Sequence, residues 1–169
     1  ARAILETCLV FLAFCCVASA VYCLNDLRDR ESDRLHPKKR LRPLASGRIS
    51  PAAAATLGGV LLAAGMSIAL VVAPIVALVL VAYILLNVAY TLVLKNVSIV
   101  DVLTIALGFV LRVYGGALVI DVVPTPWIQI CAGLLALFIA LAKRRDDVVL
   151  EIGAAHRVSL AGYTRSFLD

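Results

Sequence analysis

Three aspartates, Asp26, Asp29 and Asp33, recur at i, i+3 and i+7, a spacing that stacks side chains on one face of an α-helix. Three stacked carboxylates repel one another unless a cation lies between them. A hard, all-oxygen ligand set suits Mg²⁺, which uses one or two carboxylates and fills its shell with water and substrate phosphates. The basic run that follows, from Arg34 through Lys39 to Arg42, can hold the remaining phosphate charge. A solvated basic loop that only sets topology does not account for three aligned acids. The stretch therefore predicts a Mg²⁺–diphosphate site, with Asp26, Asp29 and Asp33 as metal ligands.

These residues need a scaffold, and the composition says which kind. The chain has 169 residues, is 63% hydrophobic and has a mean hydropathy of +1.02. Soluble domains are about half apolar, so this is an integral membrane protein. A spanning helix takes about 20 mostly apolar residues, which leaves room for about five spans. The expected fold is all-α, a polytopic transmembrane helix bundle treated as one domain, 1–169. A net charge of +5 raises the possibility of nucleic acid, but the bases cluster beside spans, where positive-inside topology explains them. Nucleic acid is excluded as a partner on that ground. Four of the five cysteines lie in the first apolar run. They lack the paired spacing of zinc sites and read as small residues packing between helices. No short apolar region with a cleavage site opens the chain, so no signal peptide is expected.

In chain order, the first apolar run covers about Ile4 to Leu24 and enters the aspartate stretch without a Gly or Pro break. His-Pro and Arg-Pro steps and Gly47 make 34–48 an irregular loop. Ser50-Pro51 supplies an N-cap and first-turn proline for a second helix to about Val72; its Gly58, Gly59 and Gly65 predict close helix packing. Ala73-Pro74 turns into a third span ending near Leu94. There Tyr83, Asn87 and Tyr90 form either a packed hydrogen-bonding set or one wall of a polar cavity. The fourth span, Val97 to about Ile120, carries Asp101 and Arg112, eleven residues apart and so on one face. Ionisable groups inside a span are functional candidates. Trp127 opens a fifth span to Ala142, followed by Lys143-Arg144-Arg145-Asp146-Asp147. The remainder is too polar to span; Val148, Val149, Ile152, Leu160, Phe167 and Leu168 allow an amphipathic or interfacial segment.

The string Asn25-Asp26-x-x-Asp29-x-x-x-Asp33-Arg34, continued by His36-Pro37, Lys39, Arg42-Pro43 and Ser46-Gly47, resembles the first aspartate-rich motif of UbiA-type intramembrane transferases. Gly108 to Arg112, Gly115-Gly116, Lys143-Arg144-Arg145 and Tyr163 to Asp169 look most like the polyprenyl-phosphate phosphoribosyltransferase branch. The resemblance runs over nearly the whole chain. It implies Mg²⁺-dependent transfer of 5-phosphoribosyl from phosphoribosyl diphosphate to a polyprenyl, decaprenyl-type phosphate, for cell-envelope or polysaccharide precursors. Members of the family have further spans on both sides, so the chain resembles the middle of that fold, as a fragment or an unusually short member. A homo-oligomer is compatible with it.

Two enzymatic readings share the site: ribosyl transfer to a lipid phosphate, and polyprenyl transfer to an aromatic or other acceptor. Aromatic prenyltransferases of the family carry a second motif of helically spaced aspartates. Here Asp146 and Asp147 are adjacent and do not share a face. The basic cluster beside them suits an anionic acceptor. The residues expected to carry catalysis are Asp29, Asp33, Arg112, Lys143 and Arg144; the expected substrate contacts are Asn25, Arg34, Lys39, Arg42, Asp101 and Arg145. A non-catalytic membrane subunit or fragment is the third reading. A transporter would show Gly/Pro-broken helices in corresponding halves, and no such repeat is visible. Loops 25–50 and 95–96 and the tail from 143 hold fourteen of the sixteen bases. That asymmetry predicts a bacterial inner or plasma membrane protein with these segments cytoplasmic.

Overall fold

The structure, a computed structural model, describes residues 2–149 and 158–169. Among the described residues five helices are long and apolar enough to cross a membrane: α1 (Arg2–Leu35), α2 (Pro51–Val72), α3 (Pro74–Leu92), α4 (Val100–Val119) and α5 (Pro126–Val149). A short α6 (Arg165–Leu168) closes the chain. Among the described residues there is no strand. The all-α bundle matches the expectation, and the protein is an integral membrane protein.

Local sequence explains the helix ends. Ser50 Oγ accepts from the Ala53 amide and Pro51 takes the first turn of α2, satisfying a donor that the helix start would otherwise orphan. Pro74 likewise opens α3 directly after extended Ala73. In α1 nothing interrupts the helix between the apolar run and the acids. It therefore continues unbroken through Asp26, Asp29 and Asp33. The fifth helix runs past the expected Ala142 to Val149, because Lys143 to Asp147 contains no Gly or Pro and Lys and Arg are good helix formers. Expectations for Ile152 fall outside the described residues. Of the tail, Leu160 and Tyr163 are buried and Phe167 is exposed.

α1 packs along α2 and also touches α3 and α4, while α5 leans on α4. The main core joins α1, α2 and α3 through Val10, Ala13, Phe14, Val17, Ala69, Val76, Leu80 and Tyr83. Most remaining large apolar side chains point outward, among them Phe11, Leu57, Leu85 and Phe138, as a lipid-facing surface requires. Contact between α1 and α2 depends on small residues. A Cβ at Gly65 would sit 2.8 Å from both the Ala13 carbonyl oxygen and Val17 Cγ2, and 3.2 Å from Cys16 Cβ. Backbone cannot yield as a side chain tip can, so the helices would have to separate. Gly65→Ala is expected to cost about 1–3 kcal/mol as overpacking, read as a lowered unfolding temperature in detergent. An unchanged temperature would show that α1 and α2 tolerate separation.

The helices alternate direction, so the C-terminal ends of α1, α3 and α5 meet the N-terminal ends of α2 and α4 at one side of the bundle. This side carries the aspartate stretch, Lys95, Asp101, Lys143 and the tail. A polar cavity opens there.

Candidate active site

The cavity has a volume of about 460 Å³. One wall is the end of α1, where Asn25, Asp26, Asp29 and Asp33 all line it, with Lys39 and Arg42 from the following loop. Tyr83, Asn87 and Tyr90 of α3 line it as well, so the polar stripe of that helix forms a cavity wall. Across from α1, the end of α5 contributes Lys143, Arg144 and Asp147.

Each aspartate has a basic partner. Arg42 Nη1 bridges Asp26 Oδ1 at 2.8 Å and Asp33 Oδ2 at 2.9 Å. Lys39 Nζ stands 3.8 Å from Asp33 Oδ1, and Lys95, just beyond α3, pairs with Asp29. Arg42 is carried there by a 3-10 turn, Lys39–Leu41. Its approach is shaped by buried His36, whose Nδ1 accepts from the Lys38 and Lys39 amides at 3.1 and 3.2 Å. The neutral ring thus carries its proton on Nε2. Arg34 stands outside the cavity lining: its Nε donates to the Ala45 carbonyl at 3.2 Å and Nη1 meets Glu31 at 3.1 Å. It ties the loop to α1.

The α5 cluster divides three ways. Lys143 lines the cavity and, among the described residues, has no carboxylate partner. Arg144 is 2% exposed; its Nε donates to Asp101 Oδ2 at 2.8 Å and its Nη1 to Asp147 Oδ2 at 3.1 Å. Arg145 faces away and pairs with Asp169 at 2.6 Å. The second carboxylate oxygen of Asp101 accepts from the Tyr163 hydroxyl at 2.6 Å and the Val102 amide at 2.9 Å. Ser159 Oγ lies 3.3 Å from Asp101 Oδ2. Tyr163 in turn accepts from the Ile99 amide at 2.7 Å, beside an Ile99 held at φ 70°, a conformation β-branched residues rarely adopt. Burial first, then the hydrogen bond to Asp101, pushes the Tyr163 phenol up to about 12. It therefore remains a donor at neutral pH. Asp101 is 0% exposed and lies outside the cavity lining, buried against α5 and the tail.

Arg112 is placed differently from the expectation that it acts at the site. Its Nη2 donates to the Tyr83 hydroxyl at 2.6 Å, and its guanidinium lies 4.8 and 4.9 Å from the Tyr83 and Phe109 ring centres. Tyr83 lines the cavity and Arg112 does not. Aromatic faces make a partly desolvated guanidinium tolerable. Asp101 and Arg112 share a helix face but serve separate clusters.

Sequence reasoning missed Lys95, Tyr22 and Asp147, all of which line the cavity. Lys95 had a usable signal: it is the one base of the short loop between the third and fourth spans, on the same side as the aspartates. Tyr22 and Asp147 had none beyond helical register.

The residues fit a Mg²⁺–diphosphate. Asn25 Oδ1 is a buried acceptor with no hydrogen-bond partner, beside three carboxylates on the same cavity wall. Among the described residues no group of three ligating side chains is assembled to hold a metal ion, so Asp26, Asp29 and Asp33 share the cavity wall without forming the ready three-carboxylate site that their spacing predicts.

Comparison with known proteins gives a consistent result. The sequence profile of the UbiA prenyltransferase family matches residues 3–167. The decaprenyl-phosphate phosphoribosyltransferase of Mycolicibacterium smegmatis is 36% identical over 160 residues, covering 94% of this chain and 50% of that protein. Its counterpart from Corynebacterium glutamicum is 34% identical over 171 residues, covering 99% and 52%. The chain thus spans about half the length of the curated relatives it matches. A UbiA homolog from Archaeoglobus fulgidus, solved with DMAPP and Mg²⁺, superposes with a TM-score of 0.79 at 23% identity, covering 90% of this chain and 56% of that one. At that identity the likeness is one of fold.

Proposed function

Because the chain belongs to the UbiA prenyltransferase family, we propose that it carries out Mg²⁺-dependent transfer of 5-phosphoribosyl from phosphoribosyl diphosphate to a polyprenyl phosphate. The observation that carries this reading is Lys143, a base without a carboxylate partner among the described residues, lining the same cavity as the aspartates. A second anion besides the diphosphate explains such a base; an uncharged acceptor does not. The names of the curated relatives support the same donor and acceptor.

In the reaction the ribose C1–O bond to diphosphate breaks and a C1–O bond to a lipid phosphate oxygen forms. One or two of Asp26, Asp29 and Asp33, with Asn25 Oδ1, would hold the metal, which would supply countercharge to the departing diphosphate. Arg42, Lys39 and Lys95 lie close enough to meet phosphate oxygens. Lys143 takes the ribose phosphate or the lipid phosphate. The acceptor is already ionised at neutral pH, so no strong general base is required. The basic end of the bundle faces the cytoplasm in this reading, where such donors are found, and residues 1–169 act as a single transmembrane domain.

A second reading, prenyl transfer from a polyprenyl diphosphate to an aromatic acceptor, draws on Tyr22, Tyr83 and Tyr90 in the cavity wall. The test is an assay of the purified chain in lipid nanodiscs with radiolabelled phosphoribosyl diphosphate and a polyprenyl phosphate. Transfer of label to lipid is expected. A charge-assisted contact to an anion is worth about 1.5–3 kcal/mol, so Lys143→Ala should slow it by about one to two decades. Consumption of polyprenyl diphosphate and an aromatic acid, with phosphoribosyl diphosphate ignored, replaces the first reading by the second.

A further inference from the structure

We infer that Arg42 and Lys95 are internal counter-ions of the aspartate wall, so that the divalent cation enters only together with the diphosphate. The inference rests on the Mg²⁺–diphosphate reading of the site and adds an order of events to it. Arg42 places one nitrogen within 2.9 Å of carboxylate oxygens from both Asp26 and Asp33. That single nitrogen occupies the ground between the two acids where a cation would relieve their repulsion. Lys95 is the counter-ion of Asp29. Over the whole cavity, five basic residues face four acidic ones, so no net negative field draws in a bare divalent ion.

A metal arriving alone would have to displace these bases and leave them without partners beside added positive charge, which Coulomb repulsion at short range opposes. Arriving with diphosphate, the metal takes the carboxylates while the phosphate oxygens receive Arg42 and Lys95. Both side chains are long and flexible, and Arg42 sits at the end of a 3-10 turn rather than inside a spanning helix. Only its side chain needs to turn.

The test measures retention of radiolabelled Mn²⁺, a stand-in for Mg²⁺, by the full chain in nanodiscs, with and without inorganic diphosphate. Retained diphosphate is counted separately. The unmodified protein is expected to hold Mn²⁺ weakly alone and about 10- to 100-fold more tightly with diphosphate. Arg42→Gln should bind Mn²⁺ alone about tenfold more tightly, because removing a nearby cation removes its repulsion, and the enhancement by diphosphate should shrink. Lys95→Gln should move in the same direction and carries the test if the Arg42 variant does not fold; Arg42→Lys, which keeps the charge, should not show the tighter binding of Mn²⁺ alone. Unchanged or weaker binding of Mn²⁺ alone in the Gln variants, with diphosphate-dependent retention intact, overturns the counter-ion role and leaves the site reading standing. Absence of Mn²⁺ retention in every protein and condition removes both.

Discussion

Asp29→Asn is expected to lower diphosphate-dependent turnover by about three decades or more, since a metal contact to a departing phosphoryl oxygen is worth several kcal/mol and each 1.4 kcal/mol is about tenfold. Asn has nearly the same shape as Asp but carries no charge. The variant would leave Lys95 without its carboxylate partner, and that base would then compete for the phosphate the metal should hold. Asp29 lies on the cavity wall near the end of α1, away from the packed core of Val10, Phe14 and Val17. Helix content and unfolding temperature should therefore stay close to those of the unmodified protein. Turnover at the unmodified rate with saturating Mg²⁺ would remove Asp29 from the metal site, and a large fall in unfolding temperature would make its role one of folding.

The second large effect is on stability. Arg144→Ala is expected to destabilise the bundle by about 3–5 kcal/mol, because it breaks a fully buried, hydrogen-bonded ion pair with Asp101 by removing one partner. Sequence reading places Arg144 at a substrate phosphate. In the folded chain its guanidinium is 2% exposed and is engaged by Asp101 and Asp147. Asp101 also receives Tyr163 and Ser159 from the tail, so losing Arg144 loosens the join between α4, α5 and the tail together. Thermal unfolding in detergent checks this. A strong fall in turnover with unchanged unfolding temperature would return Arg144 to direct phosphate contact.

Much of the architecture follows from one-dimensional physics. A run of about 20 apolar residues has to be a helix in lipid, where every backbone group needs an internal partner. Ser50-Pro51 and Ala73-Pro74 set the starts of α2 and α3, and both appear where the sequence puts them. Continuity of α1 through the acids was legible too, because helical register alone places Asp26, Asp29 and Asp33 on one face and nothing between them breaks the helix.

The partners of the charges were decided only in three dimensions. Lys95 reads in sequence as the end of a span, yet it meets Asp29 across 66 positions. Lys143, Arg144 and Arg145 read as one basic cluster, but successive helix positions point about 100° apart. Lys143 therefore lines the cavity without a carboxylate partner among the described residues, Arg144 reaches the same wall while paired with Asp101, and Arg145 is directed to Asp169. Arg112 shares a helix face with Asp101, but a guanidinium within a span settles on whatever polar or aromatic group lies within reach, here Tyr83 of α3. Hydropathy determines where a helix lies along the chain. Which side chains meet across the cavity depends on how helices of separate origin rotate and pack, and no local pattern encodes that.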